Sequence, residues 1–271
     1  MKKAKTTAVI VPFYKTQLSK YENIALAQCI KVLGKHQVIA IKPNSLDLSA
    51  IEKHVHFADV KSFDDDFFSG IDGYNKLMLS TTFYQCFLEF EFILIYQLDA
   101  FVFRDDLDLW SATSYDYVGA PWIRPINDPD LIKTAKTKFQ NFFHKRYNVY
   151  ENGLPSAKQF ENQVGNGGFS LRRVKKFYAL TQIFSDKIAE YHLRSEHQFH
   201  EDAFWSIEVN RKKKWLNIPS YKVALQFSFE NSPERAYRMM SNQLPFGCHA
   251  WDENLDFWEP FITQQGHDIN S

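Results

Sequence analysis

Four short apolar runs, TAVIVPFY, HQVIAIKP, HVHFADV and FILIYQL, punctuate residues 7–98, and longer amphipathic stretches separate the first two and the last two. A run that is apolar at nearly every position and rich in Val and Ile suits a strand covered on both faces. YENIALAQCIKVLG sets Ile24, Ala27, Ile30 and Leu33 at helical spacing and stops at Gly34. DGYNKLMLSTTFYQCFLEF reads as another helix, with Leu77, Phe83 and Phe87 turned inward. Strands and helices in this order need crossover connections, so the expected fold class is α/β, a mostly parallel twisted sheet flanked by helices. Ligands of such sheets bind beyond the carboxyl ends of the strands. Asp99 stands where FILIYQL runs out, at that edge.

The second half is less regular. RDDLDLW has the look of a helix start, where Asp105, Asp106 and Asp108 cap the helix and complement its dipole. YDYVGAPW is a short strand ending at Pro121 and Trp122. Residues 124–160 turn polar, Lys-rich and aromatic, as in KTAKTKFQNFFHKRYNVYENG, and are read as a helical insertion with a loop. VKKFYALTQIFSDKIAEYHL and HEDAFWSIEVNRKKK read as amphipathic helices, IPSYKVALQFSFE as a strand, and the aromatic end packs back on the body. No repeat, linker or low-complexity segment divides the chain.

Composition excludes several partners. Lys+Arg and Asp+Glu number 32 each and the pI is about 7.1, so no basic field marks a nucleic-acid partner. The apolar part of the basic N-terminus runs only from Ala8 to Phe13, and no stretch reaches the roughly 18 residues of a membrane span. Cys29, Cys86 and Cys248 are widely spaced and odd in number, without metal spacing or a disulfide framework. A soluble protein of a reducing compartment, the cytoplasm, is expected.

Several constellations can carry chemistry. A carboxylate closing a buried strand needs hydrogen bonds, a cation or water, so Asp99 either caps a neighbouring loop or meets a ligand. VGNGGFSL combines Asn166 with Gly167 and Gly168, whose backbone can approach a ligand closely, and is otherwise a tight turn. In HEDAFW, Glu201 and Asp202 either cap the following helix or aim a general base into a cleft. His192, His197 and His200 match no metal-ligand spacing. His249 of PFGCHAW is either a packed histidine or a contact to a metal or diphosphate.

The ordered set VIVPFY, GYNKLMLS, YQLDAFVF, YDYVGAPW, VGNGGFSLRR, HEDAFW and PFGCHAW resembles the GT-A nucleotide-sugar glycosyltransferases, and in particular a little-characterised bacterial domain family of that superfamily. The likeness runs from about Ala8 to Trp251. It implies a single GT-A-like domain over residues 1–271. About 8–122 would be its nucleotide-binding half, 124–160 an insertion, 161–251 the acceptor and catalytic half, and 252–271 a tail. It implies nucleotide-sugar contacts at Pro12, Phe13, Tyr14, Asn75, Lys76 and Asp99, and a donor and acceptor lining at Trp122, Asn166, Gly167 and Gly168. The family's Asp-x-Asp motif would take Asp99 as its first member, with Phe101 in the second place, a departure that counts against ordinary divalent-metal dependence. Asp202, beside Glu201, matches the general base of inverting members. His249 matches a metal-binding His, so that Asp99 and His249 would hold any Mn2+ or Mg2+.

The implied activity is transfer of a sugar, from a UDP-sugar by preference, to the hydroxyl of a glycan or lipid-linked acceptor in polysaccharide biosynthesis. Deprotonation by Asp202 and direct attack would invert the anomeric carbon. No nucleic acid and no transmembrane segment are expected. Association would be peripheral, at the inner face of the membrane. The alternatives are an inactive nucleotide- or sugar-binding module of the same fold, and a sugar-phosphate nucleotidyltransferase, although VPFYKTQLSKYEN lacks the glycines of a phosphate loop.

Overall fold

The structure, a computed structural model, describes residues 5–124 and 131–269. The chain begins with β1 (Lys5–Pro12), α1 (Lys20–Leu33), β2 (Gln37–Pro43), α2 (Ser49–Glu52), β3 (Asp59–Phe63), α3 (Gly70–Met78), α4 (Thr81–Gln85) and β4 (Phe90–Tyr96). It continues through β5 (Phe101–Val102), α5 (Leu107–Ser111), β6 (Tyr117–Val118), β7 (Pro121–Trp122) and α6 (Leu131–Tyr147). A hairpin of β8 (Tyr150–Glu151) and β9 (Leu154–Pro155) leads to β10 (Gln163–Val164) and β11 (Phe169–Arg173). The last part holds α7 (Val174–Ile183), α8 (Ser185–His192), α9 (Glu201–Ala203), α10 (Tyr221–Ala224), β12 (Ser228–Phe229), α11 (Pro233–Met239), β13 (Gly247–Cys248) and α12 (Leu255–Gln264).

The main sheet has six strands in the order β3-β2-β1-β4-β11-β6. β1 to β4 run parallel, and β11 enters antiparallel between β4 and β6. The expected α/β class with a mainly parallel sheet holds. Alternate residues of each central strand feed opposite layers, which is why the runs are apolar at successive positions. Ala8, Ile10, Ile93 and Ile95 pack with Leu77, Phe83 and Phe177 on one face. Val9, Val11, Phe92 and Leu94 pack with Ala25, Cys29, Leu33 and Leu107 on the other.

A second, three-stranded sheet, β12-β13-β5, lies beyond the carboxyl end of β4. It shelters a third core cluster in which Phe101, Phe229 and Cys248 meet Trp251, Trp258 and Ile262, so the aromatic C-terminal segment does pack back on the body.

Several elements differ from the sequence expectation. The helix read over DGYNKLMLSTTFYQCFLEF is two, because Ser80 Oγ accepts from Phe83 N at 3.0 Å and caps a new start. α7 and α8 are likewise separate, divided at Phe184, which leaves helical geometry at φ −106° and ψ 22°. HEDAFWSIEV is no regular helix: α9 passes at once into a π-turn over Phe204–Glu208, with Val209 N donating to Phe204 O at 3.0 Å. In IPSYKVALQFSFE only Ser228–Phe229 is a strand, and Tyr221–Ala224 is helical. The start of the expected insertion, 125–130, lies outside the described residues, as do 1–4 and 270–271 of the expected 1–271 domain. Among the described residues no helix is long and apolar enough to cross a membrane.

Candidate active site

β1 and β4 are neighbours in register, so their carboxyl ends open onto one edge. A turn follows β4, with Ala100 N donating to Gln97 O at 2.9 Å, and it projects Gln97 and Asp99 from that edge. The small sheet brings in the partners from far along the chain. β13 pairs with β5 antiparallel and with β12 parallel, so Glu230, next after β12, and His249, next after β13, arrive beside Asp99. His249 N also donates to Phe229 O at 3.0 Å.

The imidazole of His249 is bracketed by acceptors. Nε2 lies 3.2 Å from Asp99 Oδ1 and 3.0 Å from Gln97 Oε1. Nδ1 lies 3.1 Å from Glu230 Oε1, which also accepts from Asn166 Nδ2 at 2.6 Å. Burial alone pushes the His249 imidazole down, but Asp99 and Glu230 outweigh it and hold the ring well above its usual range, as an imidazolium. Burial pushes the Asp99 carboxyl up, and the charge and hydrogen bond of His249 more than reverse this. Asn166 Oδ1 accepts from Phe169 N at 3.0 Å, which ties the glycine turn to the same cluster. Gly168 presses on it closely: a Cβ there would stand 2.0 Å from His249 Nε2 and 2.4 Å from Gln97 Oε1. That contact, rather than ligand approach alone, is why a glycine occupies the position.

Phe101 therefore has no part in this cluster, which corrects the expected motif. The turn at residues 97–100 resets the strand alternation, so residues 99 and 101 do not share a face. The Phe101 ring is buried against Phe103, at 5.2 Å, and Trp251, at 6.1 Å. The side chain that faces the cluster with Asp99 is Gln97, two residues earlier, a position the sequence reading passed over. Glu230 was missed as well, because its neighbourhood is made by the pairing of β12 with β13 and no local spacing signals it.

The donor set tests whether a divalent cation fits. Among the described residues no group of three or more His, Cys, Asp and Glu side chains is placed to hold a metal. Asp99 Oδ1 and Gln97 Oε1 nevertheless both face the Nε2 of His249, at 3.2 and 3.0 Å. One carboxylate, one amide oxygen and one imidazole suit a hard divalent ion such as Mn2+ or Mg2+ once His249 has given up its Nε2 proton. Glu230 on Nδ1 would then orient the ring, as partners of metal-binding histidines do.

Around this cluster three clefts join end to end. The first, of about 760 Å3, is lined by Pro12, Tyr14, Lys15, Ser19, Asp99 and Asp252. Tyr14 and Gln97 are shared with the central cleft, of about 850 Å3, where Asn75, Asn166, Gly167, Gly168, Glu201, Asp202, Glu230 and His249 meet. His200 and Asp202 are shared with a third, of about 640 Å3, lined by Trp122, Ala157, Phe160, His197 and Asn231. Its aromatic wall is built: Trp122 meets Phe160 edge-to-face at 5.3 Å, and Phe160 meets His197 at 5.7 Å.

Two expected contacts lie elsewhere. Phe13 is a core residue, fully buried and edge-to-face on Phe57 at 5.6 Å, because it continues the inward phase of Val9 and Val11. Lys76 sits one residue round α3 from Asn75 and is turned out of the central cleft into a neighbouring one of about 480 Å3, lined with Asn75, Asp72, His192 and Arg194.

Glu201 and Asp202 have different surroundings. Glu201 is buried, and its Oε1 pairs at 2.9 Å with Nη2 of the fully buried Arg172. Arg172 also donates to Tyr84 Oη at 2.9 Å and Ser170 Oγ at 3.0 Å. Glu201 N donates to Asn75 Oδ1 at 3.0 Å, and a Cβ on Gly167 would meet Glu201 Oε1 at 1.9 Å. Glu201 thus anchors the turn as an ion-pair partner, which corrects its expected catalytic role. Asp202 is left facing the clefts, with Oδ1 accepting from Ala203 N at 2.7 Å. Burial, then the charge of Glu201, push its carboxyl well above the ordinary value.

A family model described as "Protein of unknown function (DUF5672)" matches residues 57–249. No curated protein matches the sequence. Among solved structures, the galactosyltransferase LgtC in complex with donor and acceptor sugar analogues aligns with a TM-score of 0.52 at 11% identity, covering 95% of each chain. An active-site mutant of LgtC aligns with a TM-score of 0.51 at 12% identity, covering 89% of this chain and 86% of that one. At such identity the likeness is one of fold, and the fold is that of the GT-A glycosyltransferases.

Proposed function

The chain belongs to the DUF5672 family, and we propose that it is a glycosyltransferase moving a sugar from a nucleotide-sugar donor to an acceptor hydroxyl, with inversion. One observation carries this reading: Asp202 stands where the cleft holding Glu230 and His249 meets the aromatic cleft of Trp122 and Phe160. A single carboxylate thus faces both places that two reacting sugars would occupy. LgtC, a protein of the same fold solved with donor and acceptor sugar analogues, supports the coarser reading of a sugar transferase.

In this reading the nucleoside of a UDP-sugar lies in the first cleft, along Pro12 and Tyr14, and the diphosphate and donor sugar lie in the central one. A glycan or lipid-linked acceptor, in a pathway building a polysaccharide, enters the third. Asp202 takes the proton of the acceptor hydroxyl, the oxygen attacks the anomeric carbon, and the bond to the diphosphate breaks with its electron pair on the leaving oxygen. Charge building on that oxygen faces His249, held cationic between Asp99 and Glu230. Where Mn2+ or Mg2+ binds, Asp99, His249 and Gln97 would hold it, and it would supply that positive charge instead. Glu201, its Oε1 paired with Arg172, is not the base in this reading.

NMR of the product's anomeric centre tests the stereochemistry: inversion is expected, and retention overturns the direct-attack role of Asp202. A second reading, a binding module without catalysis, draws on the neutral Gln97 beside Asp99, which weakens the grip on a cation. Isothermal titration with UDP, GDP and CDP, with and without Mn2+, followed by assay of donor hydrolysis, separates the two. Binding without any hydrolysis or transfer favours the module.

A further inference from the structure

Helix α6 carries Lys133, Lys136, Lys138, Lys145 and Arg146 and no Asp or Glu. One side of it is tied to the body. His144 is buried, Asn141 Nδ2 donates to Glu161 Oε2 at 2.9 Å, and Lys145 Nζ donates to Gln163 Oε1 at 2.6 Å. The other side is apolar and bare: Ile132 is 83% exposed, Phe139 69%, Phe142 61% and Tyr147 65%, with Phe143 also exposed. At about 100° per residue these five side chains share an arc of roughly 140° opposite Asn141. Monomeric proteins rarely leave such a row uncovered. Lys136 falls within the arc and the exposed Lys138 about 40° beyond it, while Arg146, also within it, donates from Nη1 to Arg211 O at 2.7 Å. Aromatic rings flanked by lysines are the pattern of a helix that lies in an anionic interface, with the rings in the acyl boundary and the basic side chains at the headgroups.

We propose that α6 is a membrane-surface helix that seats this protein on an anionic lipid bilayer. The charge decides the occupant. A second copy of this chain would set two uniformly basic helices face to face, and like charges there oppose pairing, whereas acidic headgroups match them. The anchoring side of the helix faces the Ala157–Gln159 turn and Glu161, next to Phe160 of the aromatic cleft, so docking would hold that cleft behind the helix, about one helix diameter (~10 Å) from the lipid surface. If the glycosyltransferase reading holds, the acceptor is then a sugar carried on a lipid. The helix proposal itself needs only the bilayer.

The test is co-sedimentation of the full chain with vesicles of phosphatidylglycerol and phosphatidylcholine, against vesicles of phosphatidylcholine alone. Partition to the anionic vesicles that weakens with salt is expected, with at least about a tenfold loss in Phe139→Ser/Phe142→Ser and in Lys136→Glu/Lys138→Glu. All four side chains point outward, so an unchanged Tm certifies that the variants fold. No preference for anionic vesicles, or equal partition of the variants, overturns the proposal. So does a concentration-dependent dimer that Phe139→Ser/Phe142→Ser abolishes, which would assign the face to a second copy. UDP titration, run separately, reports on the glycosyltransferase reading alone.

Discussion

Asp202 is made by its surroundings. Buried beside the Glu201 charge, its carboxyl ionises well above the ordinary value of 3.8. The folded chain therefore binds a proton at a pH where the unfolded chain has lost it. Stability from this group falls as pH rises from near that ordinary value through the folded one. Asp202→Asn should accordingly raise Tm, and by more at pH 8 than at pH 5; a Tm equal to or below wild type at pH 8 would show that the carboxylate is not strained. Turnover carries the opposite sign, rising with pH on a limb set above the usual carboxylate range as the base deprotonates. At Gly168, a methyl would stand 2.0 Å from His249 Nε2. Gly168→Ala should displace the imidazole and weaken UDP binding at least about tenfold in isothermal titration, as the loss of a charge-assisted contact does, while the main sheet keeps its far-UV circular dichroism.

The elements explain what could be read in advance. β1, β2 and β4 were legible because burial on both faces makes them apolar throughout. The breaks at Ser80 and Phe184 were not, since a helical period continues across both. The π-turn after α9 eluded periodicity too. It follows from fitting Phe204 and Trp205, both fully buried, into the core behind the site. Gln97 and Glu230 depend on a turn and on a long-range strand pairing, neither of which leaves a local spacing. Arg172, on β11, is fully buried and holds Glu201, a pairing across 29 residues that no local spacing signals. Arg172→Met leaves that carboxylate unpaired and should cost about 3–5 kcal/mol in urea unfolding. Arg172→Met/Glu201→Met should recover most of the loss, and a double variant as unstable as the single one would contradict the pairing.

At the scale of the molecule, the order of motifs pointed to the right fold, and the structure brings Asn166, Asp202 and His249 into one cleft with Asp99 beside them, because the parallel strands β1 and β4 end on the edge at which the antiparallel β11 begins. In the proposed reading the aromatic cleft is the acceptor side. Trp122→Ala and Phe160→Ala should each raise the acceptor KM about tenfold, the size of one aromatic contact, and leave donor hydrolysis unchanged. Equal loss of both activities would place these rings in the donor site instead. The central claim is that Asp202 is the base between the two sugars, and turnover of Asp202→Asn measured beside its UDP affinity addresses it most directly. A fall of roughly 10²–10⁴-fold in kcat with an unaltered Kd for UDP is the predicted result. Turnover near wild type, or a loss that follows UDP binding, would contradict it.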